Sequence, residues 1–189
     1  KMAPGTDGNL ITYDASGNPA AVATGSAGQI LTSAGAGAPP TFATAAAGGK
    51  VLQVVNLYKG NGNVTTTSTS FVDVSGMTLN ITPASTGSKI YLQLLTNMYQ
   101  NTNNAYFSLR YVRTIGATAT NFGDGTYGLV SARANTDHTF WGGVSMQLLD
   151  SPNTTSQITY KIQFRNDGGT ATFGLNNMPS NMVAMEIGA

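Results

Sequence analysis

Cysteine is absent from the 189 residues, which rules out a disulfide framework, a thiolate nucleophile and any Cys-based metal site. Histidine occurs once, at His138, so a multi-histidine metal cluster is excluded and a catalytic triad would have to use that residue. Its setting, Thr136-Asp137-His138-Thr139, carries no nucleophile-elbow pattern, and it reads as a loop or strand-start residue. Charge is scarce as well: 9% of residues are charged and the net charge is +1. That leaves neither the basic footprint of a nucleic-acid binder nor an acidic solvating tail. No apolar run approaches the roughly 18 residues that cross a bilayer, and no basic-then-apolar signal opens the chain, so membrane insertion is not expected. A start at Lys1 suggests a fragment of a longer polypeptide. Lastly, no segment shows a 3.6-residue apolar period with caps.

What is present is a two-residue period. Val144, Met146 and Leu148 alternate with Ser145 and Gln147, and Ile158, Tyr160, Ile162 and Phe164 alternate with Thr159, Lys161, Gln163 and Arg165. Such strands bury one face and wet the other. Asp150 to Ser156, with its Pro and its Asp, Asn and Ser, separates the two runs, and Asn166 to Gly169 supplies the next reversal. Val51 to Tyr58 is a β-rich run, and the same alternation recurs at Met77 to Ile81, Ile90 to Leu94, Ala105 to Tyr111 and Val183 to Ile187. Asn97 to Asn104 reads as an Asn-rich loop and Gly116 to Gly128 as a long loop or irregular edge. Eight to ten short strands in about 140 residues, bounded by polar turns, indicate an all-β fold, an antiparallel β-sandwich of jelly-roll type.

The chain changes character near Gly48-Gly49. Large apolar residues number 8 in 1–49 and 47 in 50–189, so only the second part can bury enough area to offset its own ordering entropy. We therefore divide the chain into a stalk, 1–49, and a head domain, 50–189. The stalk holds a 20-residue repeat: Gly8 to Thr12 matches Gly28 to Thr32, Gly17 matches Gly37, Pro19 matches Pro39 and Val22 matches Phe42. Units this poor in apolar side chains cannot fold singly. Several copies of the chain sharing the burial would give a thin fibre; a flexible Gly/Ala linker is the alternative.

Several segments carry a family resemblance. LLDSPNTTSQITYKIQFRNDGG, the closing NMVAMEIGA, and GKVLQVVNLYKGN followed by ITPASTGSKIYLQL resemble the C-terminal domains of tailed-bacteriophage fibre and related virion proteins. GTDGNLITYDASGNPAAVATG and GSAGQILTSAGAGAPPTF are similar to the repeats preceding such domains. The resemblance implies a homotrimer on the surface of a phage particle, with a head resembling the tumour-necrosis-factor or C1q jelly roll. Its partners would be other virion proteins on the N-terminal side and a host cell-surface glycan or protein. It implies no catalytic residue set. A host-attaching fibre tip is the leading expectation; a capsid decoration or head-fibre protein without receptor binding is the alternative, and a polysaccharide depolymerase the third.

On the residues themselves, catalysis finds little support. A glycosidase needs two carboxylates a few ångströms apart, whereas Asp124, Asp137, Asp150 and Asp167 stand singly, mostly at turns. No enzyme activity, cofactor or metal is therefore expected. For binding, aromatics in polar loops are the candidates, since flat rings cover the C–H faces of sugars while amides read hydroxyls. They are Tyr99, Tyr106, Phe122 and Tyr127, with Arg133 placed to meet an anionic ligand. Loops at the end away from the termini are expected to include some of 97–104, 118–127 and 133–137. Trp141 reads as core or trimer contact, and Val183, Met185 and Ile187 are expected near the threefold axis.

Overall fold

The computed structural model describes residues 5–45, 49–135, 139–175 and 178–188; Asp137 and His138, considered above, lie outside them. It divides into two compact units, 1–47 and 48–189, and no α-helix occurs among the described residues.

In the first unit, β1 (Leu10–Tyr13) pairs antiparallel with β2 (Pro19–Val22), and β3 (Gln29–Thr32) with β4 (Thr41–Thr44). The same turn precedes each hairpin. Asn9 N–H donates to the Thr6 carbonyl at 3.2 Å and Gln29 N–H to the Ser26 carbonyl at 3.1 Å, with Gly8 and Gly28 at φ +83° and +85°. A positive φ at the third turn position is the type II requirement that glycine meets without strain. The 20-residue sequence period thus recurs as geometry. The hairpins then diverge: residues 14–18 close the first and 33–40 the second, and Leu10 faces Val22 whereas Leu31, not Ile30, faces Phe42. Ile11, Tyr13, Ile30 and Leu31 stay exposed, because a two-stranded ribbon has nothing to bury them against.

The second unit is a two-sheet sandwich. One sheet runs β5 (Val51–Lys59), β15 (Ser180–Ile187), β8 (Lys89–Gln100), β12 (Phe140–Asp150), all antiparallel. Beyond β15, the short β14 (Ala171–Phe173) and β6 (Val64–Thr66) continue along β8. The other sheet runs β7 (Val72–Ile81), β13 (Ile158–Asn166), β9 (Tyr106–Ile115), with β10 (Thr118–Asn121) and β11 (Val130–Arg133) sharing the outer edge of β9. In chain order the seven long strands, β5, β7, β8, β9, β12, β13 and β15, alternate between the two sheets, as in a jelly-roll-like sandwich. Strand β8 continues to Gln100, so only 101–105 of the expected Asn loop is a turn. Likewise the expected long loop from Gly116 contains β10. In both places a strand distant in sequence, β12 or β9, supplies the ladder that extends a segment bordered by turn-forming residues.

The core lies where the two-residue period placed it. Ile90, Leu92, Leu94 and Met98 from β8 and Met182 and Ala184 from β15 meet Phe107, Leu109 and Tyr111 from β9 and Ile158, Tyr160, Ile162 and Phe164 from β13. Strand β7 contributes Val74 and then Met77, Leu79 and Ile81. The change of parity between Val74 and Met77 is made at Gly76, φ +79°, beside a register shift between Lys161 and Gln163. The shift leaves three extra residues on β7 around this left-handed glycine, an irregular bulge, and their odd number returns the rest of the strand to the core face. The buried carboxylate at the end of β12 is paired. Asp150 is 5% exposed and accepts from Arg113 Nη1 at 2.7 Å and from the Tyr160 hydroxyl at 2.6 Å.

Candidate functional site

The two outer faces of the sandwich differ in chemistry. On the β7–β13–β9 sheet the outward side chains form a polar ladder. Lys161 pairs with Asp73 at 2.9 Å, Gln163 donates to Asp73 at 2.7 Å, Arg110 donates twice to Gln163, and Thr159 donates to Asn80 at 2.7 Å. The Gln163 donation, helped by Lys161, holds the Asp73 carboxyl below the usual carboxylate range. This is a face built to stand in water.

The outward face of β5, β15, β8 and β12 has the opposite character. Register places Val54, Met185, Tyr91 and Leu149 in one row; Asn56, Val183, Gln93 and Gln147 in the next; Tyr58, Asn181, Leu95 and Ser145 in the third. Asn97 with Gly143, then Tyr99 with Trp141, continue it. No side chain in these rows is charged; Lys89, opposite Ile187, brings a charge to the base of the face. Leu95 and Trp141 are each 60% exposed, and Val54, Tyr58 and Leu149 are exposed as well. The three residues expected at a threefold axis, Val183, Met185 and Ile187, point outward on this face from β15, half-buried by the flanking strands. Trp141 points outward here too, while its neighbour Phe140 turns inward and packs edge-on against Phe107 at 4.9 Å. Tyr99 is therefore a sheet-face residue and not part of a loop.

A second feature sits at the end of the sandwich away from Lys50 and Ile187. Strand β9 begins there with Tyr106, and β11 ends there with Arg133 directly opposite it. The Arg133 guanidinium lies over the Tyr106 ring at 5.2 Å, and its Nε donates to the Asn104 carbonyl at 3.3 Å. Tyr127 meets Tyr106 edge-on, with ring centroids 5.8 Å apart and planes at 67°.

The loop that carries Tyr127 is tightly made. Asp124 and Gly128 exchange backbone hydrogen bonds at 3.0 and 2.9 Å, and Asp124 Oδ1 accepts the N–H groups of Thr126 at 2.6 Å and Tyr127 at 2.8 Å. The Tyr127 and Thr126 donations hold the Asp124 carboxyl below its ordinary value. Arg165 Nη1 fastens the loop from outside by donating to the Thr126 carbonyl at 2.7 Å. Tyr106 is fixed by its N–H to Asp167 Oδ1 and by the Asp167 N–H to its carbonyl.

Three of the five candidate binding residues, Tyr106, Tyr127 and Arg133, thus come together. Tyr99 belongs to the charge-poor sheet face, and Phe122 packs half-buried against the core with Arg113 5.6 Å from its ring. For catalysis, Asp124, Asp150 and Asp167 are each committed to the structural contacts given above. Among the described residues no group of three or more His, Asp or Glu side chains is placed to hold a metal. The buried arrangement of Arg113, Asp150 and Tyr160 had no signal in the sequence, since its members lie far apart and meet only across the sandwich. The same holds for the stacking of Arg110 on Phe71 at 4.1 Å.

No family model and no curated protein matches the sequence. Among solved structures, a chain from the structure of infectious bursal disease virus Gx strain is similar at 10% identity over 85% of this chain and 41% of that one, with a TM-score of 0.36. A chain of the T13 particle of the same virus is similar at 10% identity over 90% and 42%, TM-score 0.31. A mutant VP2 protein in derived T=1 particles of that virus is similar at 12% identity over 100% and 44%, TM-score 0.31. The present chain spans less than half the length of each.

Proposed function

We propose that this chain is a virion fibre protein of a tailed bacteriophage, in which three copies join through the β5–β15–β8–β12 face and present the opposite-end loops to the surface of a host bacterium. The observation that carries this reading is the chemical asymmetry of the sandwich. One outer face is a hydrogen-bonded ladder with charges, and the other carries uncharged rows, with Lys89 at its base, and exposes Val54, Leu95, Leu149 and Trp141 among amide and hydroxyl side chains. A face so poor in charge, with large apolar side chains left in water, is an association surface. Closed association of identical copies about an axis buries it without leaving it open to further copies. The exposed Ile11, Tyr13, Ile30 and Leu31 of the hairpins have the same need, and three parallel copies of the 5–45 segment meet it as a stalk. Linked copies also explain how shallow loop contacts suffice for attachment, because avidity multiplies weak sites.

Light scattering on residues 49–189 tests the assembly. The expected result is a trimer at micromolar concentration, and a monomer carrying Leu95→Glu with Leu149→Glu that keeps the β-rich circular dichroism of the parent. A stable wild-type monomer would overturn the assembly. Pelleting of labelled trimer with bacterial cells reads attachment separately; a trimer that binds no host cell would assign the protein a purely structural place on the particle.

A further inference from the structure

The attachment reading leaves open what chemistry the rim recognises, and the rim has a definite composition. Tyr127 is 53% exposed although its loop is held by four hydrogen bonds at Asp124 and one from Arg165. A rigid ring kept in water gains nothing for the fold, yet it is preorganised to cover the apolar face of a pyranose. Arg133 is exposed as well. The ion pairs among the described residues, Arg113 with Asp150 and Lys161 with Asp73, do not include it. Both Arg133 and Tyr127 lie within 6 Å of the Tyr106 ring, a span that one or two sugar rings cover. Among the described residues, the acids of this neighbourhood are turned to other work: Asp167 Oδ1 accepts the Tyr106 N–H and Asp124 Oδ1 accepts two N–H groups of its own loop. Stacking on Tyr106 orients the guanidinium plane, and a planar guanidinium matches a carboxylate in a way that an ammonium does not.

From these contacts we infer that Tyr106, Tyr127 and Arg133 form a subsite for a sugar that carries a carboxylate, with Tyr127 covering the ring and Arg133 taking the acid group. The inference rests on the attachment reading and gives its ligand class. Galacturonate and galactose make a suitable pair of probes, since they share ring stereochemistry and differ at C6. Trimer with isotope-labelled tyrosine rings is titrated with each at physiological salt and followed by NMR. The expected result is that galacturonate moves the Tyr106 and Tyr127 signals at millimolar concentration and binds about tenfold more tightly than galactose. Arg133→Gln should bring galacturonate down to the level of galactose without changing the melting temperature, and Arg133→Lys should restore part of the difference. Equal responses to both sugars, unchanged by Arg133→Gln, would overturn the carboxylate assignment and leave glycan attachment standing. No response to either sugar would overturn the subsite, while pelleting with cells still reports on attachment by another surface.

Discussion

Glu186 is the sole glutamate of the chain and is fully buried at the base of the sandwich. Its Oε1 accepts the Ala84 N–H at 2.7 Å, and its Oε2 accepts from Gln53 Nε2 at 2.6 Å, which also reaches the Thr82 carbonyl. Burial by itself would raise this carboxyl, but the donations from Gln53 and from the Ala84 backbone outweigh it and hold the group below its ordinary 4.5. A depressed folded-state value means that the stabilisation is complete above the unfolded value and is lost as pH falls through the lower folded one. Glu186→Gln presents an amide N–H to donors that need an acceptor, and should cost about 1–3 kcal/mol at pH 7. Melting temperatures between pH 7 and pH 3 check this: the gap between the proteins should narrow below about pH 4.5, and a constant gap would show that the charge contributes nothing. Nothing in the local sequence Met185-Glu186-Ile187 marks Glu186 as a structural anchor; the strand alternation points it inward and Met185 and Ile187 outward.

At the scale of elements, the two-residue period located most strands and their inward faces, because that period is local geometry. It failed where pairing depends on a partner far along the chain. Residues 97–100 (Asn-Met-Tyr-Gln) border a run of asparagines and 118–121 (Thr-Ala-Thr-Asn) lie between glycines, yet they are strands because β12 and β9 supply their hydrogen-bond partners. Gly76 is a similar case, for nothing near it announces a bulge. Gly128 shows how closely such elements are fitted. It takes φ +64°, and an added Cβ would overlap the Leu109 carbonyl oxygen. Gly128→Ala should therefore destabilise the head by about 1–3 kcal/mol and displace Tyr127 from Tyr106. Urea denaturation reads the first effect and the Tyr127 ring signal the second. An alanine variant as stable as the parent, with an unmoved ring signal, would mean that the loop relaxes freely and does not preorganise the rim.

At the scale of the whole molecule, the 5–45 segment and the head face raise one question, namely what covers apolar side chains that a single copy leaves in water. Two-stranded hairpins are marginal alone. A synthetic peptide of residues 5–45 is expected to give a disordered circular dichroism spectrum at micromolar concentration, while the same amides within residues 1–189 are expected to be protected from hydrogen exchange. A folded monomeric peptide would show that the hairpins need no partner copies. The sequence by itself determined the all-β class, the change of character near Gly48, the 20-residue period with its glycine turns, and the inward set on β8, β9 and β13. These follow from composition and from near-neighbour periodicity, which any stretch of chain carries within itself. Only the tertiary structure decided that Tyr99 and Trp141 share a charge-poor sheet face while Tyr106, Tyr127 and Arg133 meet at a rim. It also decided that Asp150 and Glu186 are buried, since each placement is set by strand register between segments tens of residues apart, where a slip of one residue would exchange the two faces.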